Sequence, residues 1–478
     1  VIKKFFSNFV DFFSTKNDAY DAASYTRDEL RGWVKPLYAP NDELSNANRT
    51  TMISRVLDSI RNNPLATAAI ERFITEIVGT GLRPDVNPDV ELLDMSESEI
   101  ESKQREIERK FKLWCKSQVD IERENNFYSV QRIAYRSQKA SGDVFVNTPI
   151  VRGNLYIQLI ESERVSNANG TLNTQKLVDG LELSDAGEVT HIQVQTVHPG
   201  EVHSTGEEFV WRRFRVRDTQ GRKRIFQVFE RMRVGQRRGL PVLASVLGSY
   251  KQLDKFAKSE LEAAVITGNP CLFIESPYES SLPGQTDYDG KEKIFMTPGG
   301  VVDLAPGESI KSPTPGRPNQ QYEPFVRAKM LEISAALKIP LEVLLMNFSA
   351  SFSASRAAFL MFKKVINEER AMFADKFCQP IFSIWLDNEV SQGRILINDY
   401  QNTSQIWKNV SWIGAAIGSI READQLNAVE KKLQLGLSTK EKEVAELGHD
   451  YGEIQTKLAR EMKNQPIREN EDDNTIAV

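Results

Sequence analysis

Three histidines, His191, His198 and His203, stand close together in the chain. Imidazoles suit a divalent transition metal, but this spacing is wider than metal ligands on strands usually show, and no cysteine joins them. Ordinary strand and loop histidines are the expected reading. Asp287-Tyr-Asp289-Gly290 starts like a calcium loop, yet Met296 stands where a bidentate glutamate would close it. The same two aspartates would have to serve any carboxylate-dependent metal hydrolase. Other catalytic signatures are missing from the sequence: no G-x-x-x-x-G-K-S/T, G-x-S-x-G, H-E-x-x-H or C-x-x-C occurs. The expectation is a protein that is not an enzyme and holds no metal or cofactor.

Cationic residues carry the stronger signal. Arg212, Arg213, Arg215, Arg217, Arg222, Lys223, Arg224, Arg231, Arg233, Arg237 and Arg238 crowd between Trp211 and Leu240, opposed by only Asp218 and Glu230. Such a stretch reads either as a phosphate-facing surface with salt-sensitive binding or as the solvent face of strands paired to acidic neighbours. Lys251, Lys255 and Lys258 repeat at helical spacing and share one face, bordering nucleic acid or only water. A basic DNA-binding structural protein is one reading of these groups.

The elements that position them follow from periodicity. Helical spacing marks residues 52–60, and Asn63-Pro64 caps a second helix from Leu65 to Val78. Ser96-x-x-Glu99 is a capping box for a third, and a fourth runs from Phe127 to about Lys139. Short β-like runs then dominate: DVFVNTPI, NLYIQLI, VTHIQVQTV, EEFVWRRFRVR and RKRIFQVFERM. A long helix follows Pro241 and breaks at Gly268-Asn269-Pro270. Residues 270–321 are rich in Pro, Gly and Ser, with brief apolar runs at CLFIE, KIFM and VVDL. Helical spacing resumes from Phe325 to Lys338. Met346–Ser355 is polar and small apart from Phe348 and Phe352. A long helix then passes through Phe359 and Phe377, with Pro380 disturbing it near Cys378. Short helices close the chain over 422–435, after Ser438-x-x-Glu441, and after Asp450-x-x-Glu453. An acidic tail, expected to be disordered, follows.

The 478 residues correspond to about three domains. With 61 basic and 66 acidic residues the net charge is only −5, which argues against a protein that coats nucleic acid. Three scattered cysteines, Cys115, Cys271 and Cys378, make a disulfide framework improbable and point to a reducing compartment. The N-terminal VIKKFFSNFVDFF reads as a surface helix or arm, and no run approaches the ~18 apolar residues of a membrane span. The expected fold class is α+β, elongated and multi-domain.

In order along the chain, RNNPLATAAIERFITEIVGTGLRP (from Arg61), SGDVFV (Ser141), LIESERV (Leu159), HPGE (His198), RVGQRRGLPVLASVL (Arg233), YEPFVRAKMLEISAALKIPLEVLL (Tyr322), SASRAAFLMFKK (Ser353), FCQPIFSIWL (Phe377) and LGLSTKEKEVAELGHDYGEI (Leu435) resemble the portal proteins of lambda-type tailed bacteriophages and prophages. No single piece is diagnostic, but the order and spacing are specific. The region of Gly418-Ser-Ile420 departs from the family pattern in lacking an Asp-Pro.

The resemblance implies a homo-oligomeric ring, typically dodecameric, at one capsid vertex, through which double-stranded DNA enters and leaves. It implies a wing over 1–240, stem helices over 241–268 and 322–340, and a clip over 269–321. A tunnel loop and long wing helix would occupy 341–412, a crown 413–463 and an acidic tail 464–478. Implied partners are the terminase large subunit, then the head-tail adaptor, and the major capsid protein, with no membrane. The protein would reside in the virion after assembly in the host cytoplasm. On this reading Asn347, Phe348, Ser349, Ser351, Phe352 and Ser353 form the DNA-channel tunnel loop. Lys251, Lys255 and Lys258 would face DNA on the stem, and Arg212, Arg213, Arg215, Arg217, Arg237 and Arg238 would form a basic surface.

Overall fold

The computed structural model of the chain describes residues 38–201, 210–268, 273–275, 309–311, 320–348, 352–416, 422–449 and 451–464. Two helices, α1 (Pro40–Glu43) and α2 (Asn46–Asn62), precede the Asn63 cap, whose Oδ1 accepts from the amides of Leu65 (2.9 Å) and Ala66 (3.1 Å). Pro64 fills the first position of α3 (Pro64–Phe73), where no amide hydrogen is needed. The predicted second helix keeps its length, but its last turn, Ile74–Val78, widens into a π turn before Gly79. Strand β1 (Arg83–Val86) follows. Helix α4 (Glu97–Lys116) starts at the expected box, with the Glu99 carboxylate accepting from both the amide and the hydroxyl of Ser96. Asn126 caps α5 (Phe127–Ser141), and Gly142, at φ 88°, ends it.

The strand-rich region forms two sheets and a short hairpin. β2 (Asp143–Asn147) lies between β5 (Gln158–Glu161) and β10 (Ile225–Phe229), and β3 (Ile150–Val151) and β4 (Asn154–Leu155) make the hairpin. β6 (Leu177–Val178), β7 (Leu181–Leu183), β8 (Val189–Gln195) and β9 (Trp211–Arg215) pair in that order, all antiparallel. β2 and β10 are apolar on both faces because two cores meet them. Val144, Val146, Phe226 and Val228 join the helical core, while Phe145 and Ile225 join Leu181, Ile192 and Val194 of the other sheet. The two-residue period places each side chain on one face or the other. β6 and β7 were not legible in the sequence.

After a single 3-10 turn come α6 (Leu247–Gly268), the antiparallel pair β11 (Phe273–Glu275) and β12 (Ser309–Lys311), α7 (Tyr322–Leu337) and α8 (Leu341–Leu345). The KIFM and VVDL runs lie outside the described residues, as do residues 1–37 and 465–478. Helix α9 (Phe352–Phe373) passes through a second π turn, Ala374–Cys378, into α10 (Gln379–Ser391). The expected disturbance by Pro380 takes that form, with the proline in the first turn of the helix beyond it. Helix α11 (Tyr400–Trp407) leads to β13 (Val410–Ile413), which pairs antiparallel with β1 across most of the chain length. Three helices follow: α12 (Glu422–Gln434), α13 (Lys440–Glu446) and α14 (Tyr451–Asn464). Thr439, not Ser438, caps α13, its Oγ1 accepting from the Lys442 amide. Asp450 lies outside the described residues.

The main core draws on residues from Val56 to Leu253 and again from Ile333 to Trp407, so residues 270–321 interrupt one body. Its centre is aromatic: Phe111 meets Phe127, Phe382 and Trp385 edge-on, and Phe377 stacks between Phe127 and Phe373. Arg370 braces the first π turn from the long helix, donating to the carbonyls of Ile77 (2.9 Å) and Glu76 (2.7 Å).

The chain also touches itself backbone to backbone. A Cβ on Gly142 would lie 2.5 Å from the Gly239 carbonyl carbon, and one on Gly239 would run into the Gly142 carbonyl. Gly239→Ala is therefore expected to lower the unfolding free energy by about 3 kcal/mol or more in urea titrations. Gly248→Ala, in open space inside the first turn of α6, should instead raise it by about 0.5–1 kcal/mol. Equal effects at the two positions would contradict the close approach.

Candidate functional site

Helix α6 divides by face. Tyr250 and Leu253 are buried, and Phe256 stacks on Tyr322 (5.5 Å) and meets Phe325 (4.5 Å) of α7. Lys251, Lys255 and Lys258 lie together on the exposed side, and no carboxylate stands within salt-bridge distance of them among the described residues. The structure thus leaves these three cations accessible on one helix face.

The segment predicted as a loop over 346–355 is shorter in the structure. Met346, at φ 53°, ends α8; Met346 and Phe348 are 58% and 59% exposed, and Asn347 is exposed with its amide donating to the Glu342 carbonyl. Ser349 and Ser351 lie outside the described residues. Phe352 opens α9 and exposed Ser353 sits on its first turn, so 353–355 are helical. The run Ala354, Ala357, Ala358 favours that outcome over a loop.

The arginine-rich stretch separates into paired and unpaired cations. Arg213 grips Glu182 across three strands (2.7–3.0 Å), Arg217 reaches Glu188 (3.2 Å), Arg222 reaches Asp218 (3.0 Å) and Arg233 pairs with Glu43. Arg212 and Arg215 are exposed on the edge strand β9 without a carboxylate partner among the described residues. Arg237 is half-buried, its amide held by the Asn41 side chain (3.0 Å). Arg238, expected on the surface, is 2% exposed, so it leaves the candidate basic surface altogether.

Arg238 belongs instead to a buried lattice with Arg49, Asp143 and Asp179. Its Nε donates to Asp143 (2.7 Å), and its terminal nitrogens reach the carbonyls of Ser162, Val165 and Asp179. Arg49, fully buried, donates from Nε to Asp179 (2.7 Å) and further to Ser162, Asn46 and Val165. Asp143 also accepts from Ser162 Oγ, Gln227 Nε2 (2.8 Å) and the Gly239 amide (3.1 Å). Burial by itself would raise the Asp143 carboxyl, but the Arg238 and Arg49 guanidiniums and the Arg238 and Ser162 hydrogen bonds bring it down to about 2. Burial and the neighbouring Arg238 hold Arg49 below the ordinary arginine range, whereas Asp143 and Asp179 outweigh burial at Arg238 and raise it. Sequence reasoning missed the lattice; its signal was charged residues beside glycines in SGD, VDG and RRG.

His191 contacts Thr190 and Arg213 and is held below the usual histidine range by burial and by Arg213. His198 accepts from the Gly200 amide through Nδ1, and His203 lies outside the described residues. Among the described residues no group of three His, Cys, Asp or Glu side chains is placed to hold a metal. Asp287 and Asp289 lie outside them. No described helix is long and apolar enough to cross a membrane.

The described residues combine helix and sheet around a main core drawn from both sides of residues 270–321, with exposed cations on one helix face and on an edge strand. Residues 26–370 match the family model "Phage portal protein, lambda family", and the chain belongs to that family. It is similar to Portal protein B of Escherichia phage lambda, 25% identical over 469 residues covering 91% of this chain and 87% of the relative. It is also similar to the portal protein of Escherichia phage N15, 24% identical over 471 residues with the same coverage. Among solved structures it resembles a chain from the neck of an empty GTA particle computed with C6 symmetry, at 11% identity and TM-score 0.49, covering 87% of this chain and 95% of that one. The protein is a phage portal protein, structural rather than enzymatic, and a channel role in DNA packaging fits it.

Arg238→Met would leave Asp143 charged and buried beside an apolar side chain, with an expected loss of about 3–5 kcal/mol in urea unfolding. Arg212→Met and Arg215→Met should stay within about 0.5 kcal/mol of the parent. The folded Asp143 carboxyl titrates below its ordinary value of 3.8, so its contribution is complete above pH ~4 and lost as pH falls toward 2. Asp143→Asn should remove that component, about 2 kcal/mol, from the acid limb of the stability profile. An unchanged acid limb would refute the assignment.

Proposed function

We propose that copies of this chain form a dodecameric ring at one vertex of the capsid and that double-stranded DNA passes through its centre during packaging and ejection. The observation that carries this reading is the family match across residues 26–370. In this reading α6 and α7 are stem helices, and 269–321 is a clip that docks the terminase large subunit during packaging and the head-tail adaptor afterwards. The body around the aromatic core packs against the major capsid protein. Assembly takes place in the host cytoplasm and the ring remains in the virion. The ATP chemistry of packaging belongs to the terminase, in keeping with the missing phosphate loop. The alternative of a basic DNA-binding protein without a channel has no comparable support.

A conduit for DNA of any sequence should avoid base-edge readout and tight phosphate adhesion, because each phosphate contact must break as the duplex slides. Lys251, Lys255 and Lys258 suit that task. Their ammonium groups sit on flexible stems, hold no carboxylate among the described residues and make point-charge contacts that reform readily. Asn347, Phe348 and Phe352 would supply bulk at a constriction, with Ser349, Ser351 and Ser353 permitting movement. Arg212 and Arg215 would meet anionic groups at the ring's outer surface.

Deleting residues 348–352 should leave rings intact in negative-stain images while lowering DNA packaging or retention by at least about tenfold; stable, filled heads from that variant would remove the loop from the mechanism. Replacing the three lysines together by glutamine should flatten the salt dependence of packaging rate without altering ring formation. A structure of the ring with these lysines on its outer wall would refute their contact with DNA.

A further inference from the structure

Two short exposed stretches carry apolar side chains that the chain itself leaves uncovered, and the charges around them are opposite. The first is the loop after β10. Arg233, Val234, Gly235 and Gln236 make a tight turn, with the Gln236 amide donating to the Arg233 carbonyl (3.2 Å) and Gly235 at φ 83° in the third position. Its base is fixed. The buried Gln236 side chain accepts from the amides of Met232 (2.9 Å) and Arg233 (3.0 Å) and donates to the Arg238 carbonyl (2.8 Å), and Arg233 pairs with Glu43 of α1. Met232 and Val234 are nevertheless 68% and 95% exposed, and a loop held this way cannot fold them back onto the body. Two of its cations are also unsatisfied. Arg231 is exposed over the Phe229 ring, and neither it nor Arg237 has a carboxylate within salt-bridge distance among the described residues. Burial and the neighbouring Arg231 hold Arg237 below the ordinary arginine range, so an approaching carboxylate would relieve both groups.

The second stretch joins β1 to α4. Val90–Leu92 form a single 3-10 turn behind Asp89, whose Oδ1 accepts from the Glu91 amide (3.1 Å). Leu93 anchors this turn in the main core, which leaves Val90 44% and Leu92 64% exposed among Asp89, Glu91 and Asp94. None of these three carboxylates has a cationic partner within salt-bridge distance among the described residues. Ile121 also stands between acids, but Asp120 is taken up by the amides of Glu124 and Asn125, and Arg123 stands two residues on.

We propose that loop 231–237 of one copy docks on turn 89–94 of a second copy, Met232 and Val234 meeting Val90 and Leu92 while Arg231 and Arg237 meet the carboxylates of Asp89, Glu91 and Asp94. The inference rests on the ring reading above. The choice of a second copy follows from the charges. Cations alternate with exposed apolar groups in Arg231-Met232-Arg233-Val234, and carboxylates do so in Asp89-Val90-Glu91-Leu92. Pairing loop with loop, or turn with turn, would set like charges against each other, so only the loop-to-turn contact is favoured. Loop and turn are built on different elements, α1 and β10 for one and β1 and α4 for the other. The contact therefore uses a different surface on each partner, the head-to-tail kind that closes into rings. Four apolar side chains are a small part of the ~800 Å² per partner found in stable interfaces, so this contact sets the register within a wider interface between copies.

The test is sedimentation of the full chain across the concentration range of assembly, with charge reversals on either side of the contact. Arg231→Glu and Glu91→Arg, each folded by circular dichroism, should separately need at least about tenfold more protein than wild type to assemble. Mixing the two variants in equal amounts should restore assembly, because in a ring of alternating copies every loop again meets a turn of opposite charge. Val234→Ser/Leu92→Ser, which leaves the charges in place, should weaken assembly in the same direction. Either charge variant assembling like wild type would overturn the inference while leaving the ring intact. So would restoration by Arg231→Glu/Glu91→Arg in one chain but not by the mixture, the result expected if loop and turn met within a copy. Wild-type chain that stays monomeric at every concentration would overturn the ring reading itself.

Discussion

Asp143 sits without solvent contact between Arg238, Ser162, Gln227 and the Gly239 amide, and a carboxylate so placed destabilises the fold by several kcal/mol unless every partner is present. That condition governs how the chain can be arranged. α2 must deliver Arg49, the end of α5 must turn at Gly142, and the loop before α6 must bring Arg238 and Gly239 against that turn. The hairpin of β6 and β7 must bring Asp179. A buried ion lattice contributes little net stability compared with an apolar core of the same shape. It does penalise any arrangement in which one member is absent, and so selects one packing of the sheet on the helices.

The glycines follow from the same constraint. Gly142 needs a positive φ to end α5, and it passes so close to Gly239 that neither tolerates a Cβ. Gly180, at φ 86°, lets the turn beside Asp179 approach Ser166. Charged residues next to glycine in SGD, VDG and RRG are the local imprint of a long-range structure. SGD and RRG are also pieces of the segments by which the chain resembles its family.

Elements with strong local signals were legible: the Asn63-Pro64 cap, the Ser96-Glu99 box, the Gly142 stop and the period of the long helices. Features decided by distant partners were not. β1 is four residues long, includes Pro84, and exists because β13 lies beside it. The first π turn carries no composition cue, since it is held by packing, with Arg370 binding the carbonyls of Glu76 and Ile77; the second was signalled only as a disturbance near Pro380. For the candidate site, the sequence placed Lys251, Lys255 and Lys258 on one face, and the structure has all three exposed there. It could not sort the arginines, because identical side chains at 213 and 238 differ only in what surrounds them: Glu182 at an open sheet face, or Asp143 in the interior.

The two ends of the described chain rest on different physics. The body buries dozens of apolar side chains around Phe111, Phe377 and Trp385, and such packing opens only with global unfolding. Residues 422–464 hold to it through Arg83, Lys112 and Lys363, contacts that are partly exposed and weakened by salt. The backbone adds a close approach of its own, since a Cβ on Gly448 would lie 2.8 Å from the Ala416 amide nitrogen. The two regions therefore answer differently to salt: ionic strength weakens the partly exposed ion pairs of the C-terminal helices and leaves the apolar packing of the body in place.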